Sequence, residues 1–153
     1  MKILIAADHA GYFFKEELKE KLSDHLEDLQ WVDKGPENAS RVDYPDFAEK
    51  VCNGILNAEA PIGILLCSTG VGMSIAANKV PGIRSCVLEN LQSARLCKEH
   101  NQVQVLCFPS KLIAVDYAAQ MVLTYLEAKP DTDERHLERL KKIARIESRH
   151  KKD

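Results

Sequence analysis

The chain has 153 residues, of which 45% are hydrophobic and 29% are charged, and its formal net charge is −2 at pH 7. This length and composition predict a single globular domain over residues 1–153, with one sizeable core. The weak negative charge excludes an electrostatic case for nucleic acid or an anionic membrane as a partner. No apolar run approaches the roughly 18 residues of a membrane span, and the N-terminus enters a strand without a secretory segment, so we expect a soluble, cytoplasmic protein.

The cysteines indicate neither a disulfide framework nor a zinc site. There are five of them, an odd number without any C-x-x-C pair: Cys52, Cys67, Cys86, Cys97 and Cys107. Disulfide-rich domains and structural zinc sites need paired, regularly spaced thiols. We therefore expect a chain that uses no metal and no cofactor.

Strand and helix patterns alternate from the first residue. Strands are predicted over residues 2–7, 29–33, 62–66, 84–88 and 103–108. Three helices are predicted over 12–25, 92–99 and 115–127, one more follows the polar connection 34–43, and another begins at about residue 73. Apolar residues at fourfold spacing mark the helix faces, as in Phe14, Leu18 and Leu22. Five strands alternating with helices predict an α/β fold, a doubly wound parallel sheet with right-handed crossovers.

Polar residues follow four of the predicted strands. Asp8-His9, Cys67 to Gly72, Glu89-Asn90 and Pro109 to Lys111 each come where a strand ends. In doubly wound sheets, ligands bind beyond the carboxyl ends of the strands, near the point where the strand order reverses. The sequence therefore predicts a binding site at this edge of the sheet.

The stretch from Pro61 to Val80 combines a buried strand with a glycine turn. The apolar run ends on Cys67, turns through Ser-Thr-Gly-Val-Gly and enters a helix near Met73. The glycines let backbone N–H groups point inward, and the helix adds its positive dipole end, so we predict an anion cradle with a thiol on its rim. The alternative is a buried structural cysteine on a tight turn.

The residues after this turn exclude two better-known glycine loops. A phosphate-binding P-loop needs Gly-Lys-Ser/Thr, whereas Gly72 is followed by Met73-Ser74. A dinucleotide fingerprint lies on the first strand and needs a small third residue, whereas Ile75 holds that position here, after the third strand. A thiol beside backbone donors is what remains.

The segment from Asp131 to the C-terminus is predicted to form a terminal helix whose tail frays beyond Ile146. Asp131 and Glu134 resemble a capping box at its start. Arg135 and Arg139 lie one helical turn apart. This pair is either part of a solvated basic face or a fork for a phosphate monoester.

Two histidines occur in polar contexts. His100, in Glu99-His100-Asn101, ends a predicted helix, so it is either a proton donor or acceptor near neutral pH or a helix C-cap. His9 follows a strand beside Asp8, which either orients the imidazole or caps the next helix. The other histidines are expected on the surface: His25, His136 and His150.

Five stretches together resemble one known family. They are MKILIAADHAG at the start, VDYPDFA at 42–48, CSTGVGMSIAANKVPGIR at 67–84, EHN at 99–101 and ERHLERLKKI at 134–143. In this order they resemble the type B ribose-5-phosphate isomerases and their galactose-6-phosphate isomerase relatives over nearly the whole chain. The resemblance implies a Rossmann-like three-layer αβα sandwich with a five-stranded parallel sheet. It also implies metal-free interconversion of ribose 5-phosphate and ribulose 5-phosphate.

The resemblance further implies self-association. It predicts a homodimer, with a tetramer as the larger alternative, in which each site is completed by the partner subunit. The C-terminal helix, about 131–150, is then expected to pack on that subunit. Beyond copies of itself, the expected partner is a small sugar phosphate.

Individual residues acquire roles from the same resemblance. It makes Cys67 the base that takes the proton from C2, with Thr69 close to the sulfur, and His100 the acid that helps to open the sugar ring. Residues Ser68 to Gly72 match an anion hole for the enediolate. The substrate-binding positions that it implies are Asp8, His9, Ser68, Gly70, Val71, Gly72, Asn101, Lys111, Arg135 and Arg139.

The chain departs from the family pattern at three places. Ser68 stands where Gly is usual, Gln102-Val103-Gln104 replaces Asp-Ala-Asn, and Pro109-Ser110-Lys111 replaces a Gly-x-Arg type of turn. Lys111 keeps a positive charge but loses the planar fork of arginine. Two alternatives therefore stay open: an isomerase of allose or galactose 6-phosphate, and a non-catalytic sugar-phosphate-binding module.

Overall fold

The computed structural model describes residues 1–150, which contain five β-strands and six α-helices. In chain order these are β1 (Lys2–Ala7), α1 (Tyr12–His25), β2 (Gln30–Asp33), α2 (Tyr44–Leu56), β3 (Gly63–Cys67), α3 (Val71–Ala77), β4 (Ser85–Val87), α4 (Leu91–Asn101), β5 (Val105–Pro109), α5 (Val115–Glu127) and α6 (Glu134–His150). None of these helices has both the length and the apolar character to cross a membrane.

All five strands form one parallel sheet in the order β2-β1-β3-β5-β4. Ala7 of β1 lies opposite Leu66 of β3, and Cys67 lies opposite Pro109 of β5, so these strands end at nearly the same level. The chain places β2 on one side of β1 and β3 on the other, so the strand order reverses between β1 and β3. The predicted α/β fold with a five-stranded parallel sheet is confirmed, and its switch point lies beside Cys67.

Helices cover both faces of this sheet. Successive side chains of a strand point to opposite faces. In β3, Ile64 and Leu66 belong to the core layer shared with α1, α4 and α5, while Leu65 and Cys67 belong to the layer shared with α2 and α3. A strand that is buried on both faces explains the uninterrupted apolar run in the sequence.

Most predicted boundaries agree with the structure to within two residues. The bounds of β1, α1 and α5 are those predicted, and the polar connection 34–43 separates β2 from α2. Helix α3 begins at Val71, two residues before Met73, because Gly70 ends the turn in the left-handed region and serves as the N-cap.

The start and the end of α6 differ from the prediction. The prediction that Asp131 and Glu134 form a capping box is wrong. Asp133 caps the helix instead, because its carboxylate accepts a hydrogen bond from the Arg135 N–H at 2.8 Å. The predicted fraying beyond Ile146 is also wrong as far as His150, since α6 continues to that residue. The remainder of the predicted tail, residues 151–153, lies outside the described residues.

A buried ion pair ties α1 to the connection after β2. Lys15 is 1% exposed, and its Nζ donates to both carboxylate oxygens of Asp33 at 2.9 and 3.0 Å and to the Pro36 carbonyl oxygen at 3.0 Å. Lys19 Nζ donates to Asp33 at 2.7 Å. Because the connection 34–43 leads to the carboxyl edge of the sheet, these contacts fix the outer wall of that edge.

We expect this ion pair to make the free energy of unfolding depend on pH in the acid range. Partial burial alone would raise the pKa of Asp33, but hydrogen bonds from Lys19, Lys15 and the Gly35 N–H outweigh it, and the pKa is lowered. Such a carboxyl group stabilises the fold above its unfolded pKa of about 3.9, and the contribution is lost as the pH falls through the folded pKa. Urea unfolding of Asp33→Asn should therefore show a smaller loss of stability on acidification than the wild type.

The exposed Asp24, which lies on α1 with Lys15 and Lys19, provides the control. Asp24→Asn should retain the full acid dependence of the wild type. If Asp33→Asn loses as much stability on acidification as Asp24→Asn, the ion pair is not the source of the dependence.

Candidate active site

Three loops meet at the carboxyl edge of the sheet, where β1, β3 and β5 end. The Ser110 hydroxyl lies 3.2 Å from the carbonyl oxygen of Ala10 and 3.0 Å from that of Cys67. The Ser110 N–H donates to the Cys67 carbonyl oxygen at 2.9 Å, and the Lys111 N–H donates to that of Ser68 at 3.2 Å. The loop after β5 therefore braces the other two loops, and polar side chains placed on them are held by a rigid frame.

Cys67 is the last residue of β3, and it is 5% exposed. Its Sγ accepts a hydrogen bond from the Gly70 N–H at 3.2 Å. Gly70 has a φ of +73°, and a Cβ added there would lie 3.1 Å from Val87 Cγ1 and 3.2 Å from the Phe108 carbonyl carbon. Both the dihedral angle and the lack of space demand glycine, so the turn that holds the sulfur depends on this residue.

Backbone donors are free in the turn after Cys67 and in the first turn of α3. Within residues 1–150, the N–H groups of Thr69 and Gly72 donate to no acceptor. The Val71 N–H lies 3.4 Å from Thr69 Oγ1. An oxyanion beside the turn would meet donors that are already oriented, which is the arrangement expected of an anion cradle.

Three thiols share the core layer beneath this turn: Cys52, Cys67 and Cys107. Burial raises the pKa of Cys52 to about 11 and that of Cys107 to about 12, so both stay protonated near neutral pH. Cys107 Sγ also lies 3.2 Å from Ser85 Oγ. Cys67 is the thiol of this layer whose sulfur contacts the glycine turn.

Asp8 and His9 lie beside this turn, at the end of β1. One carboxylate oxygen of Asp8, Oδ1, accepts hydrogen bonds from the N–H groups of Ala10 and Gly11, each at 2.9 Å. Asp8 thus shapes the turn into α1, while its Oδ2 makes no hydrogen bond within residues 1–150. The exposed His9 ring is oriented by Val42 rather than by Asp8, with Nδ1 3.3 Å from the Val42 carbonyl oxygen.

His100 and Asn101 lie at the opposite edge of the sheet. Helix α4 returns antiparallel to the strands, so its C-terminus lies near the amino ends of β4 and β5. There Arg84 Nε–H donates to the Asn101 carbonyl oxygen at 2.8 Å. Because a five-residue strand such as β3 spans roughly 13 Å, Cys67 and His100 of one chain do not share a site.

The two arginines of α6 lie on the same side as His100. The Asp131 N–H donates to the Glu99 carbonyl oxygen at 2.8 Å, which ties the start of the terminal segment to the end of α4. Arg135 Nη2 lies 3.4 Å from Asp133 Oδ2, and Arg139 is exposed. The amino edge of the sheet therefore carries the Arg135 guanidinium beside the imidazole of His136, with Arg139 one helical turn further along α6.

The predicted site residues thus form two groups. The carboxyl-edge group consists of Asp8, His9, Cys67, Ser68, Thr69, Gly70, Val71, Gly72 and Lys111, and the amino-edge group consists of His100, Asn101, Arg135 and Arg139. The fold brings the members of each group together and keeps the two groups apart within one chain.

Sequence comparison identifies the family. A family model described as Ribose/Galactose Isomerase matches residues 3–143. The chain belongs to this isomerase family. The ribose-5-phosphate isomerase B of Escherichia coli strain K12 is 38% identical over 148 residues, which cover 97% of each chain.

Solved structures of the ribose/galactose isomerase family agree in fold. Ribose-5-phosphate isomerase B of Clostridium thermocellum has a TM-score of 0.93 and 40% sequence identity, covering 99% of this chain and 100% of that one. Ribose-5-phosphate isomerase B of Mycoplasma genitalium, with bound ribulose-5-phosphate, has a TM-score of 0.87 and 35% identity, covering 96% of each chain. The family resemblance predicted from the five sequence stretches is confirmed.

Tyr44 lies at the cradle of this family member, although the sequence did not mark it as a site residue. It opens α2, and its Cζ, which carries the hydroxyl, lies 2.8 Å from the position that a Cβ on Gly72 would take. The residue is 39% exposed. Its phenol therefore covers part of the cradle. The available signal in the sequence was a tyrosine directly before Pro45, since proline favours the first turn of a helix.

His136 is buried, contrary to the prediction that it is a surface residue. It is 5% exposed, and its ring stacks on that of His100 with centroids 4.1 Å apart and planes 7° apart. Its spacing of four residues from the half-buried Leu140 was a local signal for an inward-facing position. The contact with His100 had no such signal, because the two residues lie on different helices.

The cluster of His100, Asp131 and His136 is the arrangement within residues 1–150 that could be considered for a metal ion. Its candidate ligand atoms lie within 4.8 Å of one another. However, the lone pairs of an imidazole lie in the plane of the ring, and two stacked, nearly parallel planes do not converge on one ion. The observed ring orientation therefore fits a stacking contact and does not fit metal ligation.

Gly72→Ala should separate the cradle from the stability of the fold. The new methyl group would lie 2.8 Å from Tyr44 Cζ, and the partly exposed ring can move aside. We expect the free energy of unfolding to change by less than about 1 kcal/mol. Isomerase kcat/KM on ribose 5-phosphate should fall about tenfold or more, because the donors lose their aromatic cover and meet a methyl group.

Gly82→Ala is a control at a glycine far from the cradle. Gly82 has a φ of +87°, so alanine there should lower the free energy of unfolding by about 1–3 kcal/mol while leaving kcat/KM within about twofold of the wild type. Wild-type kcat/KM in Gly72→Ala would show that Tyr44 and Gly72 do not shape the reaction site.

Proposed function

We propose that this chain is an aldose–ketose isomerase that interconverts ribose 5-phosphate and ribulose 5-phosphate. The observation that carries the proposal is the thiol of Cys67, held by Gly70 N–H at the switch point beside free backbone donors. The family membership and the names of the relatives support the same reaction class and the same substrate.

The carboxyl edge supplies the groups that proton transfer between C2 and C1 requires. The Cys67 thiolate takes the proton from C2 of the open-chain aldose, and negative charge moves onto the carbonyl oxygen as a cis-enediolate. The amides of Thr69 and Gly72 then face that oxygen, and each such preorganised donor is worth about 3 kcal/mol in the transition state. Return of the proton to C1 yields the ketose.

The same turn also holds the base. A backbone N–H that points at a sulfur orients it through a hydrogen bond. The Gly70 N–H at 3.2 Å from Cys67 Sγ makes this contact. One glycine turn therefore supports both the base and the intermediate.

Ring opening must precede the proton transfer, because ribose 5-phosphate is cyclic in solution. His100 is the proposed acid that protonates the ring oxygen, and Asp8, through its free Oδ2, is the proposed acceptor of the anomeric proton. These two residues lie at opposite edges of one chain. A complete site therefore needs the amino edge of a second copy against the carboxyl edge of the first.

Exposed apolar side chains support such a homodimer. Phe13 at the start of α1 is 74% exposed, and Leu112 after β5 is 66% exposed. Val71 and Ile75 on α3 add to the exposed apolar surface around the turn. Exposed apolar surface of this kind marks an interaction surface. Here it lies near the carboxyl-edge group, which lacks the proposed acid.

The amino-edge group of the second copy also supplies the proposed phosphate contacts. Arg135 and Arg139, one turn apart on α6, offer a guanidinium pair for the dianion, and Asn101 adds an amide beside His100. Lys111 contributes a positive charge from the carboxyl edge. Binding the phosphate away from the reacting carbons holds the sugar over Cys67 and converts binding energy into orientation.

Cys67→Ala should bind ribose 5-phosphate but convert almost none of it. Loss of the base removes the proton transfer and leaves the phosphate contacts intact, so we expect kcat to fall by about 10²–10⁴-fold or more with little change in substrate affinity. Ribulose 5-phosphate formation measures the first quantity, and titration calorimetry measures the second.

Cys52→Ala, in the same core layer, is the control for Cys67→Ala and should keep its kcat. Substantial turnover by Cys67→Ala would refute the role of the thiol. A higher wild-type kcat/KM for allose 6-phosphate or galactose 6-phosphate than for ribose 5-phosphate would refute the pentose assignment. No ketose at high enzyme concentration would favour a binding module.

Mixing two inactive variants tests whether each site is built from two chains. In a mixed dimer of Cys67→Ala and His100→Asn, one site combines the intact Cys67 of one chain with the intact His100 of the other. Random subunit exchange makes half of the dimers mixed, so about a quarter of wild-type activity should return on refolding the variants together.

Each variant refolded alone provides the baseline for this complementation and should stay inactive. If the acid and base of one chain acted together, every mixed dimer would carry one change in each site. No recovery of activity on mixing would then be the result, and it would overturn the shared site.

A further inference from the structure

Two imidazole rings stack at the amino edge of the sheet. The planes of His100 and His136 differ by 7°, and their centroids are 4.1 Å apart. His136 is 5% exposed, whereas His100 is half-buried near the end of α4. One ring is therefore anchored in the protein, and the other lies on it with an edge open to its surroundings.

Contacts from the start of α6 hold His136 in place. Its backbone N–H donates to the Asp133 carbonyl oxygen at 3.0 Å, and Asp131 Oδ2 lies 3.7 Å from its Nε2. Arg135 Nη2 lies 3.3 Å from the same Nε2. A guanidinium can only donate, so this contact makes Nε2 an acceptor and places the proton of a neutral His136 on Nδ1.

The face of the His100 ring lies on that of His136, and within residues 1–150 neither ring nitrogen of His100 makes a hydrogen bond. One of these nitrogens lies within 4.8 Å of a carboxylate oxygen of Asp131 without a hydrogen bond to it. A half-buried side chain near a helix end would otherwise sample several rotamers, and the stack restricts them. A carboxylate partner would orient the ring too, but it would also occupy one nitrogen and favour the charged imidazole.

We propose that His136 is a positioning residue that orients His100 for opening of the sugar ring. In that step the C1–O4 bond of cyclic ribose 5-phosphate breaks, and its electron pair goes to O4, which receives the proton from His100. The anomeric hydroxyl gives its proton to a base at the carboxyl edge as C1=O forms. His136 touches neither the sugar nor the proton, and it acts by holding the donor nitrogen at O4.

The inference rests on the proposed isomerase activity, and it predicts that two reactions of the enzyme separate. Aldose turnover needs ring opening, whereas ribulose 5-phosphate has no free 5-hydroxyl and stays open-chain. The exchange of its C1 proton with solvent deuterium requires the bound phosphate, Cys67 and the cradle, but no acid for ring opening. Loosening of His100 should therefore slow the first reaction and spare the second.

The test compares His136→Leu with His136→Phe in the full-length enzyme. Leucine removes the planar ring, so kcat for ribose 5-phosphate should fall about tenfold or more while KM stays within about twofold. Phenylalanine keeps a stacking plane and should restore kcat to within about threefold of the wild type. Deuterium exchange at C1 of ribulose 5-phosphate, followed by NMR, should keep the wild-type rate in both variants.

The other outcomes overturn either the positioning role of His136 or the proposed isomerase activity. Equal loss of aldose turnover and C1 exchange in His136→Leu would reveal a merely structural role and overturn the proposal. Wild-type turnover in His136→Leu, or loss in His136→Phe as severe as in His136→Leu, would overturn it as well. If the wild-type enzyme shows neither turnover nor exchange, the proposed function fails instead. Circular dichroism and size-exclusion chromatography of both variants confirm fold and assembly.

Discussion

The common direction of the five strands is the constraint on which the rest of this structure depends. Parallel strands end at one edge of a sheet, and the helices between them must return to the other edge. Residues after strands, such as Cys67, therefore collect at the carboxyl edge, whereas residues that end a returning helix, such as His100, collect at the amino edge. No local adjustment of a loop brings these edges together, because hydrogen-bonded strands separate them. A chemistry that needs both groups requires two copies of the chain.

Within each edge, the structure holds its groups by contacts that leave accessible the atoms for which we propose a role in the reaction. At the carboxyl edge, Ser110 braces the loops after β1 and β3, and Gly70 supports the sulfur with a single N–H. At the amino edge, His136 contacts His100 through the ring face and makes no hydrogen bond to its nitrogens. Preorganisation of this kind lowers the reorganisation that would otherwise accompany charge development in the transition state.

The departures from the family pattern have a structural account at the amino edge. Gln104 Oε1 accepts a hydrogen bond from the Arg84 N–H at 2.9 Å, and its Nε2 donates to the Gly82 carbonyl oxygen at 3.2 Å. Gln102 caps α4 in the left-handed conformation, and its carbonyl oxygen accepts from the Arg84 guanidinium at 2.9 Å. These glutamines shape the support beneath His100. They replace none of the proposed acid, base or phosphate groups.

The sequence by itself determined the elements, their order and the glycine turn after Cys67, because hydrophobic period, turn chemistry and strand ends are local properties. The resemblance to a known family also predicted which residues belong to the site. Only the tertiary structure decided that this set divides between two edges, that Tyr44 covers Gly72 and that His136 lies beneath His100. The structure also decided that Asp133 rather than Asp131 caps α6, because several acidic residues in this segment offer nearly equal local signals. Contacts between helices that are distant in sequence depend on how the sheet positions them, and no spacing along the chain encodes that position.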